Sequence, residues 1–325
     1  MANECIALDL DVESYFIFNR SLGKGSYGEV YDATVTSIAL RDLSPELPER
    51  VAIKKIPLKP TDMDTVYHEI QILKRLQTPR AIHYYGCYVT VDTLYIVMDL
   101  IEGESLRQAL RRLSFPQVLT VIRELALAIR DIHRINIVHR DLKHSNIMVE
   151  VEYEEQEDAE QDVEEQADVK QYADEQADVD EPEDAEQDNA AQADAEEQDI
   201  DDNVKLFLVD FGLSCYKDIE QYGTCDKKNV GTQRYYDKKA HRNIGSLKLS
   251  DWWSFGQIVV ELYVGQSPYD MEKDKFKVVT HEALEEAGVP HRFQDMLIML
   301  TDPKRSQKDR PTEADILSVF APGSI

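Results

Sequence analysis

A chain of 325 residues, 42% of them hydrophobic, is long enough for a two-lobed domain with a sizeable core and too short for much besides. Its formal net charge of −27 sits almost wholly in residues 150–203, where 26 acids face the single Lys170, a local −25 that leaves −2 for the rest. Cys5, Cys87, Cys215 and Cys225 form no C-x-x-C pair and accompany no His-rich spacing, so neither a zinc site nor a disulfide framework is expected, and a reducing compartment, cytoplasmic or nuclear, fits. The first twelve residues carry acids and no base, unlike a signal peptide, and no apolar run approaches membrane-spanning length.

Residues 14–35 read as strand, glycine-rich turn, strand. Residues 36–50 are polar and contain proline, hence a loop, and residues 51–56 form a third strand. Residues 64–77 have helical periodicity, with Val66, Ile70, Leu73 and Leu76 on one face. Residues 81–90 and 93–100 are β-branched and aromatic, so they read as two more strands. Ser114 with Gln117 three residues on, and Pro116 in the first turn, starts a helix running to Arg134. Leu119, Ile122, Leu125, Ala126, Ile129 and Ile132 form its apolar stripe. Two short strands, 146–149 and 205–209, flank the acidic segment, and helices dominate from Trp252 to the end. The acidic segment is low in complexity and poor in apolar residues, so it is expected to be disordered.

Four motifs carry chemistry. Gly23-Lys24-Gly25-Ser26-Tyr27-Gly28 lets a hairpin lie close over phosphates, although the same spacing marks dinucleotide-binding folds or a turn with no ligand. A strand-like run from Val30 follows it, where a dinucleotide site places a helix. Lys54, in the apolar run Val51-Ala52-Ile53-Lys54, needs an acid nearby unless it snorkels to the surface, and Glu69 on the next helix is the candidate. His139-Arg140-Asp141-Leu142-Lys143-His144-Ser145-Asn146 and Asp210-Phe211-Gly212 complete the set.

In this order, these motifs resemble the eukaryotic protein-kinase family, across essentially the whole chain except the insert. The resemblance implies an α+β, bilobal fold spanning residues 14–325. It has a small five-stranded antiparallel β lobe with one helix (about 14–98), a hinge (99–103) and a larger, mainly helical lobe (104–325) interrupted by the insert (151–203). It implies ATP and Mg²⁺ as cofactors. Asp141 would act as catalytic base, Lys143 would neutralise the γ-phosphate, and Asn146 and Asp210 would hold the metal. Lys54, aligned by Glu69, would hold the α- and β-phosphates, under the loop from Gly23 to Gly28. Val30, Ala52 and Met148 would sandwich adenine, with Met98 as gatekeeper and Asp99 to Ile101 as hinge. Ser105 occupies a ribose position, and Leu73, His139 and Phe211 match a stacked internal spine. Gly231-Thr232-Gln233-Arg234-Tyr235 resembles the substrate loop of Ser/Thr kinases, with Thr232 expected on Asp141 and Lys143. Asp251 would hold the catalytic-loop backbone.

Where the family has A-P-E, this chain has Asp237-Lys238-Lys239. Lys239 would repel Arg310, so either Asp237 substitutes as partner or the substrate loop is loosely held. Thr224, Tyr222 and Ser214 are the candidate phosphorylation sites after Asp210-Phe211-Gly212, none close before Gly231, which favours weak loop-phosphorylation control or constitutive activity. Expected partners are ATP, protein substrates with Ser/Thr acceptors, and basic proteins through the insert; no direct nucleic acid or membrane is expected, and the chain is read as a monomer. The insert is alternatively a tolerated hairpin extension or an autoinhibitory arm. The competing functions are a pseudokinase, a small-molecule kinase, and a scaffold that binds basic proteins through the insert.

Overall fold

The computed structural model describes residues 5–8, 11–24, 28–58, 63–151, 203–216, 225, 230–240 and 244–321. Gly25, Ser26, Tyr27, Tyr222, Thr224 and the expected disorder of the insert lie outside these. The small lobe comprises β1 (Ile6–Ala7), α1 (Val12–Tyr15), β2 (Phe16–Lys24), β3 (Glu29–Val35), α2 (Ser37–Asp42), β4 (Arg50–Pro57), α3 (Met63–Leu73), β5 (Tyr84–Val89) and β6 (Thr93–Asp99). Its sheet has the strand order β1-β5-β6-β4-β3-β2. The five strands from β2 to β6 pair antiparallel. A sixth, β1, runs parallel along the free edge of β5, which corrects the five-stranded expectation; two residues are too few to show a side-chain period.

Residues 36–50 are not the plain loop that their prolines imply. Thr36 Oγ1 accepts from Ala39 N and starts α2, and Ala39 is fully buried against the core that holds Phe16, Val35 and Val51. Its first turn precedes Pro45 and Pro48, so proline limits the helix without forbidding it. On α3, Val66, Ile70 and Leu73 are buried, as is Leu76 just beyond it.

The large lobe begins with β7 (Glu104–Ser105), α4 (Leu106–Ala109) and α5 (Phe115–Arg134), whose apolar stripe is buried throughout. Ser114 and Gln117 cap α5 reciprocally. Next come β8 (Ile137–Val138), β9 (Ile147–Val151), β10 (Val204–Leu208), β11 (Cys215–Tyr216) and α6 (Ile244–Val264), with Trp252, Trp253 and Phe255 buried. Then follow β12 (Tyr269–Asp270), β13 (Lys275–Phe276), α7 (His281–Glu286), α8 (His291–Thr301) and α9 (Glu313–Ser318). β9 and β10 are antiparallel, with Val151 opposite Val204, so the acidic segment leaves and re-enters at one hairpin end. The lobes are tied by Ile82 N to Leu208 O at 3.0 Å and by Arg80, which pairs with Glu124 at 2.6 Å and Asp131 at 3.2 Å on α5. Among the described residues no helix is long and apolar enough to cross a membrane.

The cysteine expectation is overturned. Cys5 is bonded to Cys87, and Cys215 to Cys225, leaving none free. Spacing along the chain hid both pairs. The parallel β1 brings Cys5 beside β5, and Cys225 shares the apolar cluster of Val138 and Cys215. The cysteine-based argument for a reducing compartment therefore falls away. Peptide mapping without reductant should recover both linked pairs. Reduction should destabilise the small lobe, because the 82-residue separation of Cys5 and Cys87 corresponds to a cross-link contribution of about 4.5 kcal/mol in the chain-entropy account. An unchanged melting curve in reductant would contradict this.

Candidate active site

The site is built from short polar segments that rigid elements hold. On β4, alternation puts Ala52 and Lys54 on one face; Val30 lies opposite Lys54 and Met98 opposite Ala52. Lys54 is buried, and its Nζ donates to Glu69 Oε1 at 2.6 Å, so α3 supplies a counter-charge for the ammonium that the apolar strand carries. The same Nζ lies 3.8 Å from Asp210 Oδ1. Gly23 and Lys24 are exposed at the end of β2. Gly28 passes so close to β4 that a Cβ would stand 2.3 Å from the Lys55 carbonyl oxygen.

The second part is the loop after β8. Asp251, buried on α6, accepts from the backbone N–H groups of His139 (2.8 Å) and Arg140 (2.9 Å) and from His133 Nε2 (2.9 Å). These bonds hold Arg140 in the left-handed region, at φ 67°. Asp141 follows. Its Oδ1 accepts from Thr232 N (2.8 Å) and Thr232 Oγ1 (2.6 Å), and its Oδ2 from Lys143 Nζ (2.7 Å) and Asn146 Nδ2 (3.2 Å). Lys143 Nζ also donates to Thr232 Oγ1 at 3.2 Å. Gly231, at φ 117°, crosses the loop after β8 where a Cβ would lie 2.4 Å from the Arg140 carbonyl oxygen, so no other residue fits there.

Asp210 is joined to this loop through its neighbour: Val209 N donates to Asn146 O at 3.0 Å, and His139 Nε2 to Val209 O at 3.1 Å. His139 Nδ1 accepts from Asp141 N, which leaves Nε2 as the ring's donor. Its ring lies 5.0 Å from that of Phe211, and Leu73 is buried in the same core. Lys54, Asp141 and Asp210 thus converge, although the sequence separates them widely.

The metal expectation can be tested on the donor set. Asp210 is half exposed and left-handed at φ 60°, which turns its carboxylate to the cleft beside Lys54. Asn146 Nδ2 donates to the Asp141 carbonyl at 3.0 Å as well as to its carboxylate, turning the amide oxygen away from Asp141. Carboxylate and amide oxygens are hard ligands that suit Mg²⁺, which takes its remaining ligands from phosphates and water. The residues fit the ion.

The adenine residues are positioned less tightly. Asp99 accepts from Tyr85 OH at 2.6 Å, and burial followed by this carboxylate raises the Tyr85 pKa. Ile101, Val30 and Met148 are half-buried. Ser105 donates to Gln108 Oε1 at 2.7 Å, so its hydroxyl is engaged within α4. Ser214 is buried and donates to the His139 carbonyl. A cavity of about 350 Å³ lies behind the hinge, lined by Leu76, Pro79, Ile82 and Phe207 among others; of the expected site residues it takes only Asp99.

The departure from A-P-E resolves in favour of Asp237. Its Oδ2 accepts from Arg310 Nη1 at 2.8 Å and Gln307 Nε2 at 2.6 Å, and the Asp237–Arg310 pair is almost wholly buried. Arg310 also stacks on Trp253, 4.4 Å from the ring centroid. The expected repulsion from Lys239 does not arise, because Lys239 Nζ turns to the Arg305 carbonyl at 2.9 Å. Sequence reasoning missed His133: a lone histidine near a helix end gives no sign of the carboxylate it meets 118 residues later.

Comparison with known proteins agrees with this geometry. Residues 16–163 match the family model described as the protein kinase domain. The chain is 29% identical over 152 residues to the serine/threonine-protein kinase pakA of Dictyostelium discoideum, covering 45% of this chain and 12% of that one. It is 30% identical over 143 residues to the serine/threonine-protein kinase pakG of the same organism, covering 43% and 11%. It therefore spans little more than a tenth of the length of these curated relatives.

Two outcomes test the scaffold. Asp237→Ala leaves Arg310 buried and uncompensated, and should cost about 3–5 kcal/mol in denaturant unfolding; a loss below 1 kcal/mol would show the pair to be dispensable. For His133, burial favours the neutral ring, but the carboxylates of Asp251 and Glu313 outweigh it and raise the pKa. Its stabilisation is complete below the unfolded value of about 6.5 and declines as pH rises through the higher folded value. The melting temperature should fall across that alkaline window, and His133→Gln should flatten the fall; an equal slope in both proteins would refute the assignment.

Proposed function

We propose that the chain, whose residues 16–163 match the protein kinase domain model, is an active serine/threonine kinase that transfers the ATP γ-phosphate to Ser and Thr hydroxyls of proteins. The observation that carries this reading is the closed set Asp141–Lys143–Thr232, connected through Asn146 and Val209 to Asp210, which stands beside the Lys54–Glu69 pair.

Bound Mg·ATP supplies the transferable phosphoryl group and much of the charge neutralisation. The chain's own residues do the positioning. Lys54, held by Glu69, binds the α- and β-phosphates. Asn146 and Asp210 would hold the metal, and Gly23, Lys24 and Gly28 stand where the family's phosphate loop lies. Asp141 accepts the proton of the incoming hydroxyl on a carboxylate oxygen. Lys143 places its ammonium where negative charge develops. Thr232, bonded to both, is the part of the substrate loop that meets the acceptor, which supports Ser/Thr over Tyr as the substrate class. The alternative, a pseudokinase, loses support because Lys54, Glu69, Asp141, Asn146 and Asp210 are all present and all but Asp210 are buried in polar contact.

Incubation with γ-labelled ATP and a degenerate Ser/Thr peptide pool should label serine and threonine. Asp141→Asn and Asp210→Ala should each lower the rate by about 10²- to 10⁴-fold. Label that does not appear with the native protein, or that persists undiminished in the variants, would overturn the proposal.

A further inference from the structure

The loop that carries Thr232 is held from beneath by Asp237 and Arg310, yet its outer face is gripped by a different element. The hairpin of β12 and β13 is seated on α6, with the Phe276 ring 5.0 Å from both Trp253 and Tyr269. At its tip, Asp270 Oδ1 accepts from Glu272 N and Lys273 N, both at 3.1 Å, and shapes the turn. Asp274 follows in the left-handed region at φ 50°, a conformation that disfavours an L residue unless surrounding contacts hold it.

Those contacts reach across to the substrate loop. Asp274 Oδ1 accepts from Gln233 Nε2 at 2.7 Å and from Lys238 Nζ at 2.6 Å, and also from Tyr269 OH. Lys238 Nζ donates again to the Asp274 carbonyl at 2.8 Å and lies 5.7 Å from the Tyr269 ring centroid. Hydrogen bonds from Lys238 and Tyr269 bring the Asp274 carboxyl down to about 2, so it stays ionised at any working pH. Gln233 adjoins Thr232, and Lys238 adjoins Asp237. One carboxylate therefore bridges the two ends of the span between the catalytic contact and the buried Arg310 pair. Trp253 underlies both grips, with Arg310 on its face and Phe276 against its edge.

We propose that Asp274 is a positioning residue for the protein substrate: by bridging Gln233 and Lys238 it fixes the substrate loop in the shape that presents an acceptor hydroxyl to Asp141. The proposal deepens the phosphotransferase reading and rests on it. It also accounts for a lysine at 238, since the second grip needs a cationic donor at that place. An exposed ion pair alone contributes little, but here three donors from two segments share one oxygen, and their effect falls on geometry.

The test measures KM for the degenerate Ser/Thr peptide pool and for ATP in the native protein, Asp274→Ala, Asp274→Asn and Asp274→Glu, with trypsin cleavage at Arg234, Lys238 and Lys239 as an independent readout of the loop. Asp274→Ala should raise peptide KM about fivefold with ATP KM held within about twofold. Asp274→Asn should fall between it and the native protein, Asp274→Glu should recover part of the loss, and cleavage in the loop should accelerate in Asp274→Ala. Peptide KM unchanged, or ATP KM rising in parallel, overturns the proposal. If the native protein labels no peptide, the phosphotransferase reading fails, and the cleavage rates still decide the grip: unaltered cleavage in Asp274→Ala overturns it.

Discussion

The buried carboxylate of Asp251 is the constraint on which the rest of the site depends. It is almost wholly shielded, and it is tolerable there because three donors converge on it: two backbone N–H groups of the loop after β8 and the His133 ring. Those donors pay out their bonding capacity in one direction only, so the loop cannot relax without stranding a charge. The left-handed turn at Arg140 is the geometric result, and Asp141 emerges from it facing Thr232. Because Asp251 lies on the long α6 between Trp252 and the helix's first turns, the rigidity of the lobe's core passes straight to the reacting end of the loop.

A second constraint joins the lobes. Lys54 comes from the small lobe's sheet and Glu69 from its helix, yet the cluster is completed by Asp210 from the large lobe. Phe211, packed near His139 and sharing the core of Leu73, makes the register between α3 and the loop after β8 a matter of shape as well as charge. The ion pairs of Arg80 with Glu124 and Asp131 stiffen the same junction from behind. A rotation of one lobe against the other would therefore separate the acid at 210 from the base at 54 before it disturbed either lobe's interior.

Much of this was legible in the sequence because the chemistry is local. The run from His139 to Asn146 and the triplet at Asp210 each hold their residues within one turn or loop, and α5 announces itself through Ser114, Gln117 and an unbroken apolar stripe. What escaped was non-local. Nothing near Cys5 points to Cys87, and a two-residue strand has no period to detect. Helix α2 was hidden by the prolines that follow it, although Thr36 is a good cap. The role of Asp237 stayed open between two geometries, because spacing alone cannot say which of Asp237 and Lys239 turns inward; packing against Trp253 and Gln307 decides it. The grip of Asp274 had no sequence sign at all, since it depends on a hairpin folding back over a loop more than thirty residues earlier.

The antiparallel pairing of Val151 with Val204 has a consequence for how this architecture can change over time. The two ends of the acidic segment are fixed about one strand spacing apart, roughly 5 Å, by hydrogen bonds that precede and follow it. Closing a flexible loop costs only about 0.6 kcal/mol more each time its length doubles. Such a doorway accepts additions or deletions of chain almost without thermodynamic penalty and without moving the reacting groups. It is therefore a natural port for sequence novelty, and an equally natural place at which an engineer can graft a reporter.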